Sequence, residues 1–347
     1  MKVGTSEAAR LCAESPLHQP ASAGIAEDSM SWAEPLAKVS RLRSKPQERR
    51  SRSSHLIEEA LQIEQEEARE AGALGYLART LAQVTLPHTN PKTLYYERTA
   101  GKLSLAVRGH KAYGVPFGTV PRIVLAWICT EAVRTKSPEL LMGRSAAEFA
   151  RKLEMHYNGR DLARLKKQCL ALARSLISID GMDGDSLAFE DIKIASRGFM
   201  FWSERNPEQS SLWESTLVLT QEFFEAVTMR PVPIDLRVYH ALSKSPLAMD
   251  LYTWLSYRMF VLRVSGRPEA LIPWAGLKAQ FGNGYASNEK GLENFRGKFR
   301  ARLREVLLFY PEARRHIEDA GEHLRLTPCR LHISHNNGAR LSKLVGQ

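Results

Sequence analysis

Arg296, Lys298, Arg300, Arg302 and Arg304 stand at alternate positions, and no acidic residue intervenes before Glu305. Wound at about 100° per residue, Asn294–Tyr310 sorts into two faces. Phe295, Phe299, Leu303, Val306 and Tyr310 line one. Arg300 and Arg304 point the other way, one turn apart, with Arg296 and Lys298 on the flanks. One face suits burial. The other suits an anion lattice, and DNA phosphate is the obvious lattice. On this helix alone, a solvated outer face explains the charges equally well.

A companion stretch, Arg160–Leu176, repeats the arrangement. Leu162, Leu165, Cys169, Leu172 and Leu176 form an apolar stripe. Arg160, Arg164, Lys167 and Arg174 project from the opposite side, and Lys166 lies nearer the boundary. A helix that reads DNA does so mainly from its N-terminal half. Arginine can grip guanine through two hydrogen bonds, whereas lysine acts as a point charge on phosphate. Arg160 and Arg164 in the first helix, and Arg296 and Arg300 in the second, are therefore the expected base readers. Gly297 either allows close backbone approach or is merely tolerated at the surface.

The surrounding segments must position these helices, and they follow one order twice. In the first copy, Pro121–Arg134 reads as a helix and Glu139–Met142 as a strand. Ser145–Glu154 is a short helix whose Ser145 and Glu148 suit a capping box, and Asn158-Gly159 is a turn. The basic helix follows, then strands from Ile177. In the second copy, Ser245-Pro246 opens a helix to about Val261, Ala270–Ile272 is a strand and Pro273–Phe281 a short helix. A Gly/Asn-rich turn, the basic helix and a strand at Glu322–Thr327 complete it. Helix, strand, helix, turn, helix, strands is the order of a winged helix. The expected fold class is α+β, mostly helical, with two tandem winged-helix domains.

The expected organisation is a flexible basic arm over residues 1–52, a helix over 53–85, winged-helix domains over 86–229 and 230–328, and a tail over 329–347. Pro231 and Pro233 are read as a hinge, and Thr93–Arg98 and Lys102–Val107 as a hairpin. The composition is that of a globular protein, 44% hydrophobic and 25% charged, with a net charge of +11. That balance favours polyanionic partners. Cys12, Cys129, Cys169 and Cys329 are scattered, as in a reducing compartment. No stretch has the length and apolarity of a signal peptide or membrane span. A soluble, cytoplasmic protein is expected, with no membrane partner.

Other constellations fall short. The acidic run from Asp180 to Asp191 lacks the spacing of a calcium loop and reads as a wing turn. Cys329, His332 and His335 lack a fourth zinc ligand, unless His323 joins them, and read as a polar tail. No phosphate loop of the G-x-x-x-x-G-K-[ST] type exists. His332 and His335 are too widely spaced for a rolling-circle nicking enzyme. No metal, cofactor or catalytic residue is expected.

Several blocks resemble the plasmid-encoded RepA family of replication initiators. They are Leu86–His88 (LPH), Gly114–Arg122 (GVPFGTVPR), Ala126–Pro138 (AWICTEAVRTKSP), Leu212–Thr216 (LWEST), Arg230–Arg237 (RPVPIDLR), Ser245–Met259 (SPLAMDLYTWLSYRM), Ile272–Trp274 (IPW) and Tyr310–Arg314 (YPEAR). The resemblance implies a bacterial protein that binds the double-stranded origin DNA of its own plasmid, often at repeated sites. It also implies duplex opening and recruitment of host replication proteins such as the helicase. It carries over no catalytic residue. A homodimer stays open. So do two other readings, a winged-helix transcriptional regulator and a DNA-nicking enzyme.

Overall fold

Caps and turn residues divide the chain into short elements. The computed structural model describes residues 56, 68, 71–79 and 85–333, apart from 101–102, 184–185, 204, 230 and 283. These lie in one compact unit, Ser44–Gln347. The expected basic arm and most of the expected 53–85 helix fall outside the described residues.

A strand, β1 (Leu74–Leu77), precedes the hairpin β2 (Tyr95–Ala100) and β3 (Leu103–Arg108). The first copy then runs α1 (Val120–Thr135), β4 (Glu139–Gly143), α2 (Ala146–Lys152), α3 (Gly159–Arg174), β5 (Leu176–Asp183) and β6 (Ser186–Lys193). Strands β7 (Ala195–Phe199) and β8 (Ser215–Leu219) lead to α4 (Gln221–Met229), β9 (Val232–Asp235) and α5 (Leu236–Ala241). The second copy runs α6 (Pro246–Ser265), β10 (Ala270–Pro273), α7 (Trp274–Phe281), α8 (Glu289–Phe309), β11 (Ile317–Ala320) and β12 (His323–Leu326).

The caps have simple chemistry. Ser145 Oγ accepts from the Glu148 amide at 3.1 Å, while the Glu148 carboxylate accepts from Arg144 N at 2.7 Å. The expected capping box is thus displaced by one residue at its return bond. Asn158 Oδ1 accepts from the Arg160 and Asp161 amides, both at 3.0 Å, and so starts α3. Asn288 does the same for α8 through Gly291 N at 2.9 Å.

The two copies share an element order but not a sheet topology. In the second, β10 pairs with β12, giving the order β10-β12-β11. In the first, the hairpin strand β5 pairs with β3 over Leu103–Arg108, giving β2-β3-β5-β6. The short strand β4 pairs not with this hairpin but with β8, in a sheet ordered β4-β8-β7.

Three expectations need correction. Leu74–Leu77 is a strand, not the end of a helix: it pairs antiparallel with Val232–Asp235. Gly72 there has φ +67°, and a Cβ on Gly75 would come within 2.5 Å of Leu236 Cδ2, so the ribbon needs both glycines. The expected hinge at Pro233 is the other strand of this ribbon. A two-stranded ribbon leaves each strand an open edge, where proline's missing N–H does no harm. Finally, Cys329 belongs to the core and His332 packs against it, rather than both lying in a polar tail. Tyr252 Oη lies 2.9 Å from His332 Nδ1, and Tyr310 Oη donates to the Arg330 carbonyl at 2.8 Å.

The two copies share a core. At its centre Arg122 of α1 meets Asp250 of α6, with Nε–Oδ1 and Nη2–Oδ2 both 2.7 Å. The remaining Arg122 donors reach the carbonyls of Leu86, Pro87 and Gly118 at 2.7, 3.2 and 2.6 Å. His88 Nε2 lies 2.8 Å from Asp250 Oδ2. Burial pushes the Asp250 carboxyl up, but Arg122 and His88 outweigh it and hold it at about 2, against an ordinary 3.8. Burial also lowers the His88 and His332 imidazoles below their ordinary 6.5.

All three groups bind protons more readily when unfolded, so acid destabilises the fold. The histidine contribution is complete above pH 6.5 and declines below it. The Asp250 contribution is complete above its unfolded value of 3.8 and is lost as pH falls towards 2. Urea unfolding against pH should therefore show two descending steps. Asp250→Ala, which strands a buried guanidinium, should cost about 3–5 kcal/mol at pH 7.

Candidate nucleic-acid interface

Helix α3 is anchored from below. Leu162, Leu165, Cys169 and Leu172 are buried. Burial raises the Cys169 thiol, which stays protonated as a small apolar group. Gln168 is buried in the same face, and its Oε1 accepts from Phe117 N at 2.9 Å. That bond ties the helix to the loop before α1.

Arg160, Arg164, Lys167 and Arg174 are exposed, and Lys166 is half-buried. The four exposed cations recur at one- or two-turn intervals, so they form a single stripe about 21 Å long. The Arg164 guanidinium lies over Gly118, at 3.6 Å from where a Cβ would stand. Arg174 Nη2 approaches His110 Nε2 at 3.5 Å, and His110 stacks on Tyr113. The hairpin β5–β6 begins directly after the helix.

Helix α8 buries Phe295, Phe299, Leu303 and Val306, as its periodicity requires. Phe299 meets Trp274, Trp254 and Phe281 edge-on, with centroids 5.3, 6.2 and 5.9 Å away. Lys298 and Arg304 are exposed. Arg302 pairs with Glu305, with both oxygens within 2.8 Å of Nη1.

Arg296 and Arg300 are placed differently from their expected outward course. Both turn towards the hairpin β11–β12. Arg296 Nη2 reaches Asp319 Oδ1 at 3.2 Å and the Gly321 carbonyl at 2.7 Å, and Arg300 pairs with Asp319 Oδ2. Their guanidinium carbons lie 5.1 and 5.6 Å from the centroid of the Trp274 ring, within cation–π range. Trp274 Nε1 donates to Asp319 Oδ1 at 3.1 Å. Asp319 therefore joins α7, α8 and the hairpin.

Sequence reasoning missed this carboxylate because it did not expect β11. The signal was present: Ile317, Asp319, Leu324 and Leu326 alternate around Gly321, whose φ is +72°. Outward of the cluster, a groove of about 1000 Å³ follows α8, lined by Lys290, Asn294, Gly297, Lys298 and Ala301 among others.

The acidic run falls in the hairpin β5–β6, where Asp183 pairs with Ser186. Among the described residues, no three His, Cys, Asp or Glu side chains come together as metal ligands. No described helix is long and apolar enough to cross a membrane.

Phe299→Ala should remove the centre of the aromatic cluster and lower stability by about 3–5 kcal/mol in urea unfolding. Arg304→Ala should leave the unfolding midpoint near the wild-type value.

Residues 115–275 match the family model RepA_C, described as plasmid encoded RepA protein. The matched segment contains Arg122, Asp250, α3 and Trp274. No curated protein matches the chain. Two crystal structures are similar. One, of domains 2 and 3 of RctB, is 12% identical and covers 74% of this chain and 97% of its own, with a TM-score of 0.45. The other, RctB domains 2-3, is 14% identical and covers 70% and 84%, with a TM-score of 0.39. The resemblance of the motif blocks to the plasmid-encoded RepA family is thereby supported over residues 115–275.

Proposed function

We propose that this protein is a plasmid replication initiator. It binds the double-stranded DNA of its own origin through two winged-helix modules, with α3 and α8 as the helices that enter the major groove. The observation that carries this reading is the stripe Arg160, Arg164, Lys167 and Arg174 on a capped and anchored helix. The match to the plasmid-encoded RepA family over residues 115–275 supports the replication role. Having bound repeated origin sites, the protein helps to open the duplex and brings in host proteins such as the helicase, in the bacterial cytoplasm. Its work is binding and distortion, with no catalytic residue.

The order and strand pairing of the second copy support a winged helix there. Its short strand joins the second strand of the hairpin, and the hairpin follows the basic helix. The first copy agrees in element order and in the hairpin that follows its basic helix.

If about eight Lys and Arg side chains meet phosphate, log affinity should fall with log salt at a slope near −7. Arg160→Ala and Arg164→Ala should each cost about 1–3 kcal/mol of origin binding and relax preference at one base. Supplied in trans, the wild-type protein should let an origin-only plasmid replicate. Tight, selective binding without replication would instead identify a transcriptional regulator. Metal-dependent nicking of origin DNA would identify an enzyme.

A further inference from the structure

Arg296, Arg300 and Arg304 recur at i, i+4 and i+8 on α8, so they form one stripe. Arg304 stands exposed, while the first two fold back onto Asp319. Two guanidiniums share one carboxylate, leaving a surplus positive charge at the foot of the hairpin. The Nε atoms of Arg296 and Arg300 are buried without a hydrogen-bond partner. The side chains keep 28% and 31% of their surface exposed, so the charged ends are open to exchange. Both guanidiniums lie within cation–π distance of the Trp274 ring, at 5.1 and 5.6 Å. This gives the Ile272–Trp274 block a role beyond the core.

We infer that Asp319 is a specificity-determining residue for DNA. It withholds Arg296 and Arg300 from phosphate on arbitrary duplex and repels phosphate that approaches without compensation. Phosphate alone offers these arginines one anion in exchange for another, with little net gain. A correctly placed guanine adds a two-bond contact that discriminates by roughly tenfold or more, and this draws the arginines across. The inference rests on the reading of α8 as a DNA-contacting helix.

The test uses the full chain, a duplex of the plasmid's own origin and an unrelated duplex of equal length, each titrated from 50 to 200 mM salt. Asp319→Asn keeps the shape and the acceptor for Trp274 but removes the charge. It should bind the unrelated duplex more tightly at low salt. Two added phosphate contacts should make that affinity fall about tenfold further than wild type across the titration. Adding Arg296→Gln and Arg300→Gln should abolish the gain. In the wild-type Asp319 background, the same two Gln changes should weaken origin binding at least about tenfold more than binding to the unrelated duplex. This arm holds even if Asp319→Asn folds poorly.

An Asp319→Asn protein with wild-type affinity and salt dependence on the unrelated duplex overturns the inference alone. So does a gain that survives loss of both arginines, or an equal loss on both duplexes from the Gln pair. Wild-type protein that binds neither duplex overturns the underlying DNA reading as well.

Discussion

The five N–H groups of Arg122 meet five oxygens at a site closed to water. Two belong to Asp250, and three are carbonyls of Leu86, Pro87 and Gly118. A buried ion pair seldom adds much net stability, because desolvation offsets the Coulomb gain. Its effect here is positional. Only one arrangement of these segments satisfies every donor, and any slip leaves a buried charge short of a partner. The constraint runs on to the proposed DNA face. Arg122 fixes the Gly118 carbonyl, Gly118 adjoins Phe117, and Phe117 N holds Gln168 of α3. A carboxylate on α6 thus helps to set the angle of a basic helix that lies far away in sequence.

The motif blocks gain a physical explanation from this arrangement. LPH supplies the Leu86 and Pro87 carbonyls and the His88 imidazole, GVPFGTVPR supplies the Gly118 carbonyl and Arg122, and SPLAMDLYTWLSYRM supplies Asp250. Three blocks widely separated in the chain meet around one pair of charges. Their polar members could be seen in the sequence, but their meeting could not.

Local physics was legible. The apolar stripes of α3 and α8 and the proline-led starts of α1 and α6 all depend on neighbours within a few residues. Their periodicity correctly indicated Phe295, Phe299, Leu162 and Leu165 as buried. The failures involved distant partners. Leu74–Leu77 becomes a strand only because Val232–Asp235 lies beside it. Asp319 looked like one acid among several until the hairpin brought it to Arg296 and Arg300. The first copy's β4 pairs with the distant β8 rather than with the hairpin β5–β6. Each outcome was decided by a pairing to which local propensity is blind.

Helix α6 links the surroundings of the two basic helices. Asp250 and Trp254 lie one turn apart on it. Asp250 holds the loop that steadies α3, while Trp254 packs on Phe299, the central aromatic of α8. The two proposed reading helices are therefore referenced to adjacent turns of one buried rod, not joined by a flexible tether. A rod of this kind fixes their separation and relative angle. The protein would then select for the spacing of two half-sites as well as for their bases, because a wrongly spaced pair can engage only one helix. Duplex that must bend to satisfy both would take its deformation energy from the second set of contacts. On this argument rigidity between the copies, more than the charge of either helix, would turn the proposed binding into distortion.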